Sequence, residues 1–186
     1  MNPMILRRRA MMMQQGGVLP PGYTQLEYVQ GTGRTGLNLG IVAQLGDNIV
    51  IDMVDDADTG SANNIIFGYG TSGGSWVARR GWNGTYYIGE GGFPIQTTQR
   101  VVGYVELGQE KFILRIDEYT ATRNINRNFD NYYIFGVRNN FLSLSKVYSL
   151  TIFRDGDKIC DLIPCKNTDD EVGYYDVVRQ IFLKYY

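Results

Sequence analysis

The chain of 186 residues contains no histidine. That absence removes Ser-His-Asp and Cys-His nucleophile systems, and His-ligated zinc with them. Cysteine is nearly absent too, with only Cys160 and Cys165. In an extended segment they lie about 16 Å apart, whereas a disulfide needs Cα atoms within about 7 Å. Their odd spacing also sends them to opposite faces of a strand. Two free thiols are expected, which fits a protein made in a reducing cytosol. Neither sign of charge is in excess. Eighteen basic and 19 acidic residues leave a net −1, with a sequence pI near 5.5. Bulk electrostatics therefore do not favour nucleic acid. No apolar run approaches the ~20 residues of a membrane-spanning helix. Helical periodicity is almost missing after residue 20.

What is plentiful is glycine, 23 residues, and tyrosine, 14. Many turns and pleated surfaces follow, hence an all-β class. With 44% hydrophobic residues the chain can bury a core of single-domain size. The clearest element is Lys146 to Cys165, two strands joined at Asp155-Gly156. Asp-Gly between alternating apolar residues signals a type I′ hairpin, because both turn positions need φ > 0. A two-residue loop sets Arg154 opposite Asp157, Ile152 opposite Ile159, Leu150 opposite Asp161 and Tyr148 opposite Ile163. Tyr148, Leu150, Ile152, Ile159 and Ile163 then share an apolar face. Asp161 falls on that face and would need hydrogen bonds there. Pro164, lacking an N–H, is expected to end the ladder.

Residues 1–17 differ from the rest. They carry Arg7, Arg8 and Arg9, no acid, and five of the six methionines, including Met11, Met12 and Met13. Removing these three charges leaves −4 on residues 18–186. Gln14-Gln15 follows a four-residue apolar stretch, which is too short for a signal peptide. The segment reads either as a disordered terminus or as an arm that docks onto a neighbour. In the second case the arginines suit an anionic surface and the methionines an adaptable apolar groove.

The spacing then predicts strands over 23–30, 37–41, 48–54, 64–69, 75–80, 85–90, 101–107, 111–119 and 132–137. The closing hairpin follows, and one or two short strands lie within 173–183. Residues 124–131 read as polar loop. Asn83-Gly84 marks a second hairpin. About a dozen strands at 8–12-residue spacing suggest a two-sheet antiparallel jelly-roll sandwich over 18–186.

Chemistry-bearing residues are few. Asp55, Asp56 and Asp58 sit in an acidic turn whose oxygens suit calcium, but the spacing is not that of an EF-hand loop, and a solvated turn is the plainer reading. Trp76, Trp82, Asn83, Tyr86 and Tyr87 gather aromatic rings beside Asn and Gly, a composition that can stack on sugar rings; core packing is the plainer reading. Glycoside hydrolysis needs two carboxyls about 5–9.5 Å apart, and no Glu-x-Asp-x-x-Glu pattern occurs to supply them. P-loop and dinucleotide glycine patterns are absent. Catalysis and resident cofactors are not expected.

Two blocks carry a family resemblance. The first is Leu19-Pro-Pro-Gly-Tyr-Thr-Gln-Leu-Glu-Tyr-Val-Gln-Gly-Thr-Gly33 with Leu37-Asn-Leu-Gly-Ile41. The second is Lys146-Val-Tyr-Ser-Leu-Thr-Ile-Phe-Arg-Asp-Gly156, Asp161-Leu-Ile-Pro-Cys-Lys-Asn167 and Glu171-Val-Gly-Tyr-Tyr-Asp176. In this order they resemble the concanavalin A-like (laminin-G-like) jelly-roll modules of tailed phages and prophages of gut bacteria. The usual TQYIDTGI segment is here Arg34-Thr-Gly-Leu-Asn-Leu-Gly-Ile41, so no ligand role passes to it. The resemblance implies the fold and, more loosely, a function. One reading is a non-enzymatic structural virion protein, made in the host cytoplasm. Its arm, Arg7 to Arg9 and Met11 to Met13, would bind other virion proteins. It would be a homo-oligomer or multi-copy, touching host glycans but neither membrane nor specific nucleic acid. The alternative is a secreted or surface carbohydrate-binding lectin-like module using Trp76, Trp82, Asn83, Tyr86 and Tyr87.

Overall fold

The computed structural model describes residues 19–54, 64–70, 75–80, 85–88, 91–96, 100–117, 119–125, 127–136 and 142–186, with residues 64, 75–80, 85–88 and 91–96 described through their backbone alone. The strands are β1 (Thr24–Gln25), β2 (Val29–Gln30), β3 (Leu37–Val42), β4 (Asn48–Val54), β5 (Asn64–Tyr69), β6 (Ser75–Arg80), β7 (Thr85–Ile88) and β8 (Gly91–Gln96). They continue as β9 (Val101–Leu107), β10 (Lys111–Ile116), β11 (Tyr119–Asn124), β12 (Asn131–Ile134), β13 (Lys146–Arg154), β14 (Asp157–Lys166), β15 (Val172–Asp176) and β16 (Ile181–Lys184). No helix occurs among the described residues.

The larger sheet runs β11-β10-β9-β4-β13-β14-β15-β16, with β1 on β14 and β2 on β13; the smaller runs β3-β12-β5-β6-β7-β8. The chain changes sheets between β2 and β3, β3 and β4, β4 and β5, β8 and β9, β11 and β12, and β12 and β13. Distant segments therefore become neighbours, as in a jelly-roll sandwich. The expected all-β, two-sheet antiparallel class is what the chain adopts.

Alternation explains the layers. Ile49, Ile51 and Met53 of β4, and Phe112, Leu114 and Ile116 of β10, all point inward and are buried. The smaller sheet answers with Leu39, Phe67, Tyr69, Tyr132 and Ile134. Phe67 and Tyr132 stack with ring centroids 5.2 Å apart. Tyr69 meets Tyr132 edge-on at 6.0 Å.

The closing hairpin forms as its sequence predicts at the turn and departs from it in register. Asp155 and Gly156 both have positive φ, 52° and 90°, and Arg154 pairs with Asp157. An irregularity then inserts one residue, so Ile152 faces Cys160, Thr151 faces Asp161 and Leu150 faces Leu162. A bulge moves every later side chain to the other face. Cys160 and Leu162 thereby enter the core, while Ile159 packs only at its margin. Asp161 leaves the core face and is held by Thr151 Oγ1 at 3.1 Å and Lys158 Nζ at 2.8 Å. Ile163 is buried outside the main core cluster. A second irregularity, against β4, lies between Val147 and Ser149. It keeps Val147 and Leu150 both in the core and leaves Tyr148 half-buried outside it.

Pro164 does not end the ladder. It lies inside β14 opposite Tyr174. Its carbonyl accepts from Leu26 N–H at 2.9 Å. The N and O of a strand residue project to the same side, so the missing N–H points away from β15 and costs that pairing nothing.

Other boundaries also move. The expected strand 23–30 is two two-residue strands, β1 and β2. β8 and β11 arise where no strand was expected. Asp117 adopts φ 51° and stops β10 short of residue 119. Both cysteines are free and buried: Cys160 belongs to the core cluster, Cys165 does not.

Candidate binding surfaces

Two buried carboxylates organise the ends of the sandwich. Asp47, fully buried, precedes β4. Arg154 grips it with two bonds, Nε to Oδ1 at 2.7 Å and Nη2 to Oδ2 at 2.9 Å. The Tyr132 hydroxyl and the Gln44 N–H also donate to Oδ2, each at 2.9 Å. Burial, and then the neighbouring Asp47 charge, push the Tyr132 phenol far above its ordinary range. The hydrogen bond to Asp47 raises Arg154 further against the opposing effect of burial. The second carboxylate, Asp176, receives the N–H groups of Asp161, Val178 and Arg179, and Nε of Arg179 at 2.5 Å. Arg179 Nη1 then reaches across to the Leu39 carbonyl at 2.7 Å. Each carboxylate accepts four hydrogen bonds from structural donors, which lock corners together.

The thiols are equally spoken for. Burial and the Asp176 carboxylate push Cys160 strongly up. Burial raises Cys165 to about 11. Neither is a nucleophile near neutral pH.

The outer face of the larger sheet carries a row of aromatic and charged side chains. Tyr28 and Tyr148 lie with ring centroids 5.4 Å apart. The Arg100 guanidinium sits 3.6 Å from the Tyr148 centroid. It also makes a bidentate pair with Asp52, at 2.7 and 2.8 Å. Lys146 Nζ lies 5.2 Å from the Tyr28 centroid. The bond to Asp52 holds the Arg100 guanidinium above its usual value. Burial raises the Tyr148 phenol although Arg100 pulls it down. Each cation sits against a ring, the arrangement that quadrupole attraction favours. The sequence singled out none of these residues for binding; the i, i+2 strand pattern placed Tyr148 in the core.

The residues the sequence did propose fall elsewhere. Trp76 lies in β6 opposite Gly68. Tyr86 and Tyr87 lie in β7 opposite Arg79 and Ala78. Trp82 and Asn83 lie outside the described residues, as do Asp55, Asp56 and Asp58 and the arm with Arg7, Arg8, Arg9, Met11, Met12 and Met13. The Asn83-Gly84 turn is also outside them, but its flanking strands pair as a hairpin, with Arg80 opposite Thr85. Among the described residues no group of three or more metal-ligating side chains gathers.

No family model matches the chain, and no curated protein does. Among solved structures it is similar to domains LG4-5 of the mouse laminin α1 chain, at 10% identity and a TM-score of 0.47. The match covers 78% of this chain and 44% of that one, so the chain spans less than half the laminin fragment.

Proposed function

We propose that this chain is a non-catalytic structural module of a phage virion, a jelly roll held to a capsid, portal or tail neighbour by residues 1–17. The observation that supports this reading most is where the two resembling blocks lie. They are more than a hundred residues apart in sequence, yet they meet at one corner. β1 pairs with β14 and β2 with β13. Tyr23 packs edge-on against Tyr175 and Phe182, at 5.5 and 5.8 Å. The shared sequence thus describes one structural unit. The structural engagement of Asp47 and Asp176 and the raised thiols fit a role without catalysis.

The lectin-like alternative draws support from the Tyr28–Tyr148–Arg100 row, since flat rings beside paired charges suit sugar hydroxyls and C–H faces.

The test is co-sedimentation. Full-length protein and protein lacking residues 1–17 are added to particles that lack this component. Binding by the full-length chain alone is the expected result. Equal binding, or none, overturns the arm-anchored role. A glycan screen comparing wild type with Trp82→Ala and Tyr148→Ala then decides the alternative.

A further inference from the structure

The closing hairpin is forked. β13 and β14 pair from Arg154–Asp157 back to Leu150–Leu162. Beyond that point a different segment lies between them. Val29 and Gln30 pair with Val147 and Lys146 of β13. Thr24 and Gln25 pair with Lys166 and Cys165 of β14. The strap of residues 23–30 therefore fills the fork as a wedge in the plane of the sheet. Gly31 N–H to Ser145 O and Leu26 N–H to Pro164 O, each 2.9 Å, complete its backbone bonding.

The strap is lightly held. Its two strands are two residues each, and Val29 is its one fully buried side chain. Segments with so little buried apolar area open at a small fraction of the global unfolding free energy. The fork is not lightly left empty. Opening it unpairs Val147, which is fully buried opposite Val29, and leaves two facing strand edges unpaired, the condition that recruits another strand. The strap is tied to β3 by residues 31–36, Gly-Thr-Gly-Arg-Thr-Gly, with three glycines in six. Extended, that tether reaches about 20 Å.

We infer that the fork between β13 and β14 accepts the 23–30 strap of a second copy of this chain, so that copies assemble by exchanging straps. The occupant is specified by identity. A neighbour's strap restores every bond and ring contact that its own strap makes, including Tyr23 on Tyr175 and Tyr28 beside Lys146. The cost falls on the tether, whose Thr32 N–H donates to Tyr185 Oη at 2.8 Å and whose Thr35 carbonyl accepts from that hydroxyl at 3.1 Å; high local concentration favours exchange. The inference goes beyond the virion role and is tested on the purified full chain.

Register supplies the test. Gln25 lies directly opposite Cys165, close enough for a disulfide if residue 25 is cysteine. Gln25→Cys protein is unfolded, refolded at high concentration in an oxidising buffer and run on a non-reducing denaturing gel, with the junction mapped by peptide mass. Strap exchange gives a covalent dimer whose link is 25–165, absent from wild type. A 25–165 link confined to single chains at every concentration overturns the inference. So does failure of both Gln25→Cys and the paired Thr24→Cys/Lys166→Cys variant to form any link across this register. Particle binding without exchange would leave the virion role intact, and exchange without particle binding would leave a self-assembling module.

Discussion

At the residue scale, the two buried carboxylates set the sharpest expectations. Asp47→Ala removes the anion that Arg154 and Tyr132 share and strands a cation at a corner. Removing one partner of such a pair costs about 3–5 kcal/mol, read as a fall in denaturation midpoint. Arg115→Ala breaks an exposed pair with Glu106, 2.9 Å long, and should cost about 0–1 kcal/mol. Equal losses in the two variants would show that Asp47 is no anchor. Gly156→Ala forces a side chain onto φ 90° and should cost about 1–2 kcal/mol. The thiols give a chemical check. With Cys165 raised to about 11 and Cys160 pushed up further, neither should be alkylated in the native protein at pH 8, and both should react once it unfolds. These anchors were not legible in the sequence. Nothing local marks Asp47 as the partner of a residue 107 positions away.

At the element scale, the edges matter most. β16 closes the larger sheet through Lys184, which pairs with Glu171. Hydrogen bonds from Lys184 and then Asn167 hold the Glu171 carboxyl below its usual range. Its stabilising contribution is therefore full above the unfolded value of about 4.3 and is lost as pH falls through the lower folded value. Thermal melts of wild type and Glu171→Gln should differ at pH 6 and converge under acid; a constant gap from pH 6 to pH 2 would contradict the assignment. The strap offers a second measurement. Amide exchange over residues 24–30 should outpace that over β4 and β13 by orders of magnitude. Strand existence was largely legible, because β3, β4, β9 and β10 alternate over six residues or more and the closing hairpin is marked by its Asp155-Gly156 turn. β11 was not: Tyr-Thr-Ala-Thr-Arg-Asn has few apolar residues, and its pairing with β10 is what makes it a strand.

At the scale of the whole molecule, the meeting of the 23–30 strap with β13, β14, Tyr175 and Phe182 makes that corner the place where assembly and stability are linked. Deleting residues 1–30 removes the wedge as well as the arm. The sandwich should then associate through its open fork, seen as concentration-dependent growth in light scattering. Deleting residues 1–17 alone should leave the isolated protein's melting temperature within about a degree, because the strap remains seated. A large loss in the shorter deletion would place the arm within the fold.

The sequence by itself determined the class of the molecule. Alternation with period 2, glycine-rich turns and Asp155-Gly156 act over a few residues, so they can be read without knowing what lies opposite. Absent histidine likewise excluded whole chemistries outright. Tertiary structure alone decided the register, and with it the faces. One inserted residue in β14 sent Cys160 inward and Asp161 outward, and a second irregularity in β13 brought Tyr148 beside Tyr28 and Arg100. Bulges form where two strands must satisfy each other's hydrogen bonds and a shared core at once. That demand exists only between segments far apart in the chain, and it also draws the strap into the fork.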